Sequence, residues 1–174
     1  MADDPTLCEL ADKQAIVEIL YLYARGWDRM DEQALRACFH RDSTHKHAGF
    51  EGLSHDFIGF GLEMCRPVRS MSHLITNPLI VVKGDRAISE CSFLAHHRRP
   101  KSDGGAGEED MFLKGRYLDR FERREGLWKI ARREAYHDWE RIVPPADRTL
   151  ASASADQLGQ YKPGDALYLM LASF

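Results

Sequence analysis

No apolar stretch of this 174-residue chain approaches the roughly 20 residues that a membrane-spanning helix needs. The longest, Ala166–Ala172, has seven. The start of the chain (MADDPTLCELADKQ) has no basic segment leading into an apolar run, so no export signal is read there. The cysteines at 8, 38, 65 and 91 form no CxxC, which leaves nothing for a zinc knuckle or a thioredoxin-type motif. Cys38 and Cys91 sit among apolar neighbours and read as small core residues, and the set as reduced thiols in a cytoplasmic protein. GxGxxG, the P-loop and the GxSxG elbow are all missing, so nucleotide binding and serine hydrolysis have no footing. Eight histidines occur without HExxH or a helical His-x3-His, so no metal is assigned. Excess charge is lacking too: 24 Lys and Arg against 27 Asp and Glu give −3, no footprint for nucleic acid or anionic lipid.

What is present is an ordinary globular balance, 44% hydrophobic and 29% charged, sized for one domain with a real core. Val17, Leu20, Ala24 and Asp28 fall at i, i+3, i+7 and i+11, one stripe of a helix from about Leu10 to Asp28. Ile16, Tyr23 and Trp27 widen that stripe. Asp31 can cap a second helix, EQALRACFH. A third follows Gly52 and stops at Pro67. From residue 71 the period becomes strand-like: His73–Val82, Arg86–His97, Met111–Arg124 and Leu127–Trp139. RPKSDGGAGEED reads as a long hairpin loop, and HKHAG as a polar loop or short strand. The body ends at Pro144-Pro145, ahead of a Ser/Ala-rich stretch and an apolar tail. Three helices and then long antiparallel strands make an α+β arrangement, whose curved sheet leaves a conical space suited to a small molecule.

Several polar residues fall where that space would be. Asp28 ends an apolar stripe, a costly place for a carboxylate without a partner. His73 opens the first long strand and, with regular alternation, shares a face with Ile75, Asn77, Leu79 and Val81. Cys91, Phe93, Ala95 and His97 share a face on the next strand, Tyr117 and Phe121 on the third, Ala131, Arg133 and Ala135 on the fourth. A carboxylate, imidazoles, phenols and a guanidinium around an apolar cavity suit proton abstraction beside a carbonyl.

YARGWDRMD closing the first helix, SMSHLI, FLAHH and YLDRFERREGLWKIARREAYHDW together resemble the NTF2-like superfamily. Within it they resemble the SnoaL-like branch that includes scytalone dehydratase, hexachlorocyclohexane dehydrochlorinase and bile-acid 7α-dehydratase. The resemblance runs over roughly residues 8–142. It implies an NTF2-like (cystatin-like) α+β barrel, three helices on a strongly curved, mostly antiparallel sheet. Residues 1–143 then form the domain, and 144–174 a tail serving as pocket cover or subunit contact. It also implies an Asp28–His73 dyad, His73 as general base and Asp28 holding and polarising it, with Tyr23 as a further catalytic residue. His47, His97, Trp27, Tyr117 and Arg133 (or, with a one-residue slip, Arg132) would bind substrate. Trp27, Tyr117 and His47 depart from residues that scytalone dehydratase uses.

The expected function is a cofactor-independent, metal-free lyase, a dehydratase acting on a small hydrophobic cyclic or polyketide-like substrate. An isomerase or polyketide cyclase on the same scaffold is the alternative, as is a non-catalytic binding protein resembling a dioxygenase small subunit. Ile88, Leu94, Phe112 and Leu118 alternate on the outward sheet face and point to a homo-oligomer, a trimer or a dimer.

Overall fold

A computed structural model describes residues 5–148 and 152–174. Helix α1 (Pro5–Asp28) begins on a proline, whose missing N–H is harmless in a first turn. Its buried side is Ile16, Leu20, Tyr23, Ala24 and Trp27. The core stripe is therefore centred on residues expected only to flank it, and Val17 lies at its margin. Asp31 caps α2 (Glu32–Ala37), its carboxylate accepting from Ala34 N at 3.1 Å. Helix α3 (Ser54–Cys65) lies two residues short of Pro67.

The sheet has six strands where four were expected. β1 (Phe39–His47) and β2 (Phe50–Leu53) join β3 (Ser70–Lys83), β4 (Arg86–Pro100), β5 (Glu108–Arg124) and β6 (Leu127–Val143) in the order β2-β1-β6-β5-β4-β3. All neighbours are antiparallel except β1 and β6. Phe39 thus opens a strand and does not extend α2. β1 does alternate, but its inward residues after Phe39 are Ser43, His45 and His47, so the period carries no aliphatic signal.

Two further expectations need correcting. The register of β3 on β4 shifts between Thr76 and Leu79, around Asn77 with φ 53° and Pro78. Beyond that bulge the faces exchange: His73 and Ile75 point inward, whereas Leu79 and Val81 are 69% and 64% exposed and Ile80 takes the core position. The hairpin loop is also shorter than its composition suggests. Arg98 sits opposite Asp110 and Arg99 opposite Glu109. Arg98 forks onto Asp110 at 2.8 and 2.7 Å, and Arg99 reaches Glu109 at 3.0 Å, so paired charges continue the ladder.

The helices cover the concave side of the sheet. Ile16, Leu20, Leu35, Phe39, Ile58, Phe121 and Ile130 are almost wholly buried between the layers. Each such side chain stabilises the fold by roughly 1.5–3 kcal/mol. The described residues of the C-terminal segment include a 3-10 turn (Ala155–Gln157) and helix α4 (Ala166–Ser173). Asp31 ties it down, accepting from Lys162 Nζ at 3.0 Å and the Tyr168 hydroxyl at 2.9 Å. No helix among the described residues is long and apolar enough to cross a membrane.

Candidate active site

A cavity of about 500 Å³ opens between α1, α3 and the sheet. Trp27, Phe50, Phe57, Phe60, Met64 and Met71 give it apolar walls. Tyr23, Tyr117, His47, His73 and His97 supply the polar points. Among the described residues lining it there is no carboxylate, ammonium or guanidinium. Gly61 shapes it, and Gly115 the packing of the sheet beside it. A Cβ on Gly61 would lie 2.5 Å from the Trp27 ring, so only glycine lets the indole rest against α3. At Gly115 a Cβ would meet Tyr136 O at 2.2 Å and the Phe93 ring at 2.6 Å. With no side chain there, Phe93 and His137 approach to 5.9 Å across the intervening strand.

Asp28 reaches His73 from the last residue of α1. Its Oδ1 lies 2.7 Å from His73 Nδ1, and its Oδ2 accepts the His73 backbone N–H at 3.2 Å. Both side chains are largely withdrawn from solvent, at 10% exposure for His73 and 17% for Asp28. His73 Nε2 lies 3.4 Å from His97 Nε2. Burial, together with His73, His96 and Arg99, pushes the His97 imidazole down to about 3, so it is neutral near pH 7.

Across the cavity, His47 meets His137 Nε2 to Nε2 at 3.1 Å and stacks on Phe57. Burial first, then His137, Arg133 and His73, push it down to about 4. His45 lies behind it, stacked on Phe57 with ring centroids 3.9 Å apart and neither ring nitrogen partnered.

Six of the eight anticipated site residues therefore line one cavity: Tyr23, Trp27, His47, His73, His97 and Tyr117. Asp28 stands behind His73. Arg133 points inward, as Arg132 does not, but it does not line the cavity. It is fully buried beneath Tyr23 and Tyr117 and held by Asp119 at 2.7 Å through both carboxylate oxygens. Arg132 pairs with Glu134 on the other face. Asp119 and His137 were missed. Asp119 lies between Tyr117 and Phe121 in the same alternation, directly opposite Arg133; His137 follows Arg133 and Ala135 at two-residue steps. The period alone would have found both.

Among the described residues, none of the tail lines this cavity. Leu158, Gly159, Gln160 and Tyr161 wall a second space of about 300 Å³ that Asp28 also lines. Tyr161 is fixed there by its hydroxyl, which donates to Val68 O at 2.8 Å.

A cone of helices on a curved sheet, with an apolar pocket holding a buried carboxylate–imidazole pair, defines a small-molecule-binding α+β domain. The chain belongs to the SnoaL-like domain family, whose model matches residues 8–134. It is similar in structure to a candidate scytalone dehydratase from Novosphingobium aromaticivorans DSM 12444. That likeness has 27% identity, 82% of this chain and 98% of that one covered, and a TM-score of 0.68. A type 3 hexachlorocyclohexane dehydrochlorinase (LinA) from Novosphingobium barchaimii LL02 shares the fold at 18% identity, covering 82% and 99%, with a TM-score of 0.69. A Mycobacterium tuberculosis protein of unknown function matches 99% of this chain and 91% of its own at 20% identity and a TM-score of 0.65. No curated protein matches the sequence.

Proposed function

We propose that this protein is a cofactor-independent lyase, a dehydratase that removes a proton alpha to the carbonyl of a neutral cyclic hydroxyketone. The observation that carries this reading is the two-point grip of Asp28 on His73 at the edge of an uncharged aromatic cavity. A carboxylate on Nδ1 keeps the proton there, which leaves the Nε2 lone pair as the base. As Nε2 takes the alpha proton, the imidazolium is stabilised by Asp28 while charge moves onto the substrate oxygen. The hydroxyl beta to the carbonyl departs with that proton, returned from His73 Nε2, while the neutral His97 hydrogen-bonds the leaving oxygen. Water leaves, the ring gains a C=C bond, and both imidazoles end neutral. The candidate scytalone dehydratase and the dehydrochlorinase among the similar structures are named for eliminations of this kind, which supports a lyase over a binding module.

A lining without fixed charge favours neutral substrates, since a carboxylate or phosphate would lose its hydration with no cation in return. The test is a panel of cyclic β-hydroxyketones in deuterated water, followed by NMR for exchange at the alpha carbon and by absorbance for the enone. Loss of water with dependence on His73 supports the dehydratase. Exchange without water loss moves the assignment to an isomerase or cyclase, and neither process leaves a binding protein.

A further inference from the structure

Arg133 and Asp119 form an ion pair with both side chains at 0% exposure, in the middle of the sheet and outside the cavity. A pair so deep recovers at best part of the desolvation of its two charges, and well-packed apolar residues of similar volume often serve stability as well or better. Its orientation is specific. Asp119 takes Nε and Nη2 of the guanidinium, and Nη1 has no hydrogen-bond partner. The guanidinium carbon lies 4.1 Å from the Tyr23 ring centre and 4.2 Å from that of Tyr117. Those two rings, 5.7 Å apart and edge to face, line the cavity. The positive charge of the pair therefore lies directly against the phenol rings, 4.1 and 4.2 Å from their centres, and Asp119 fixes it there through Nε and Nη2.

We propose that Asp119 and Arg133 are positioning residues for the reaction. Through Tyr23 and Tyr117 they present a preorganised positive potential to a substrate oxygen that gains negative charge. The inference rests on the proton-abstraction reading above, because only a developing oxyanion uses such a field. Preorganised dipoles in a dry site act more strongly than solvated ones and need no reorganisation as charge forms. The arrangement also accounts for a cavity that binds neutral molecules yet favours an anion formed within it. Burial raises the Tyr23 phenol and the guanidinium opposes that rise, which keeps the phenol a proton donor under a positive field.

The test uses 4-nitrophenol as a stand-in for the enolate, since its phenolate is coloured and its neutral form is not. Bound to the wild-type chain, the dye should ionise at a pH roughly one unit lower than free dye, a tenfold preference for the anion. In Asp119→Leu/Arg133→Met, which removes both charges at similar volume, the chain should fold at least as stably and the shift should vanish. Turnover of an active hydroxyketone should fall roughly tenfold with KM little changed. Should that variant not fold, Asp119→Asn/Arg133→Gln carries the same measurement. A wild-type shift of zero or of opposite sign, a shift that survives loss of both charges, or no dye binding at all overturns the proposal. Loss of the dye effect with proton exchange intact removes this inference alone. Failed exchange with the dye effect intact removes the lyase reading.

Discussion

Asp28 holds His73 by two atoms at once, the ring Nδ1 at 2.7 Å and the backbone N–H at 3.2 Å, so one carboxylate sets both the rotamer and the tautomer of the imidazole. The backbone contact matters because it ties the end of α1 to the start of β3 at the site itself.

Asp28→Asn should therefore be damaging out of proportion to its size. The amide can still accept from the backbone, but its NH2 then faces Nδ1 and drives the ring proton onto Nε2, where it occupies the lone pair that acts as base. Turnover should fall by about 10²-fold or more, while thermal stability changes little. His73→Ala should cost as much, and the double variant barely more than either single one, since the two act as a unit. Strictly additive losses, or an active Asp28→Asn, would remove the dyad.

Acid should destabilise the fold through three imidazoles buried neutral. In the unfolded chain each takes a proton near pH 6.5. In the folded chain burial holds His45 down to about 2, His97 to about 3 and His47 to about 4. Between those limits the unfolded state binds more protons, so stability is full above pH 6.5 and is lost as pH falls. Each proton contributes about 1.4 kcal/mol per pH unit. Urea unfolding at pH 7.5, 6.0 and 5.5 should show this slope. His45→Phe should lower the slope by one proton without loss of stability at pH 7.5, since neither His45 nitrogen has a partner to lose. An unchanged slope would show that His45 is not buried neutral.

How far the sequence could be read depended on whether an element's inward face was apolar. The stripe of α1 and the alternation of Cys91, Phe93 and Ala95 were legible because burial and hydrophobicity coincide there, and the cap at Asp31 because a carboxylate just ahead of a helix accepts from its first turn. β1 was not, since its inward residues Ser43, His45 and His47 are polar, and of these His47 lines the cavity. The face exchange at Asn77 was hidden because a bulge adds one residue to a period of two, and Leu79 and Val81 look the same on either side. His73 could be placed on an inward face, but its pairing with Asp28 came from resemblance alone. The two residues lie 45 positions apart, and no local pattern joins them.

The outward face of the sheet carries apolar pairs set directly across the β3–β4 ladder. Val81 faces Ile88, at 64% and 63% exposure, and Leu74 faces Leu94, at 51% and 36%. Phe112 and Leu118, expected to extend this face, are already half-covered within the chain. Such a ladder favours burial against another copy. Light scattering at micromolar concentration should show a dimer or trimer, and Val81→Lys/Ile88→Glu should dissociate it with the cavity intact. A wild-type monomer would count against the idea.

The tail offers a different test, because its contacts converge on one carboxylate three residues beyond Asp28. Asp31 caps α2 and also binds Lys162 and Tyr168, while Arg29 pairs with Asp165 at 3.2 Å and its backbone carbonyl oxygen accepts from Lys162 N at 2.8 Å. Leu169, Met170 and Leu171 remain more than half exposed, so the tail is held by these polar ties and not by apolar burial of α4. The space it walls is lined by Asp28 and by Met71, which also lines the main cavity, and water admitted there would weaken the carboxylate's hold on the imidazolium by raising the local dielectric. Deleting residues 152–174 should therefore leave a cooperative thermal transition but lower turnover, with kcat falling more than KM rises. Asp31→Asn, which retains an acceptor for the cap, should lower turnover in the same direction and expose residues 158–165 to protease. A truncated chain that does not fold, or one with full turnover, would show that the tail is structural only.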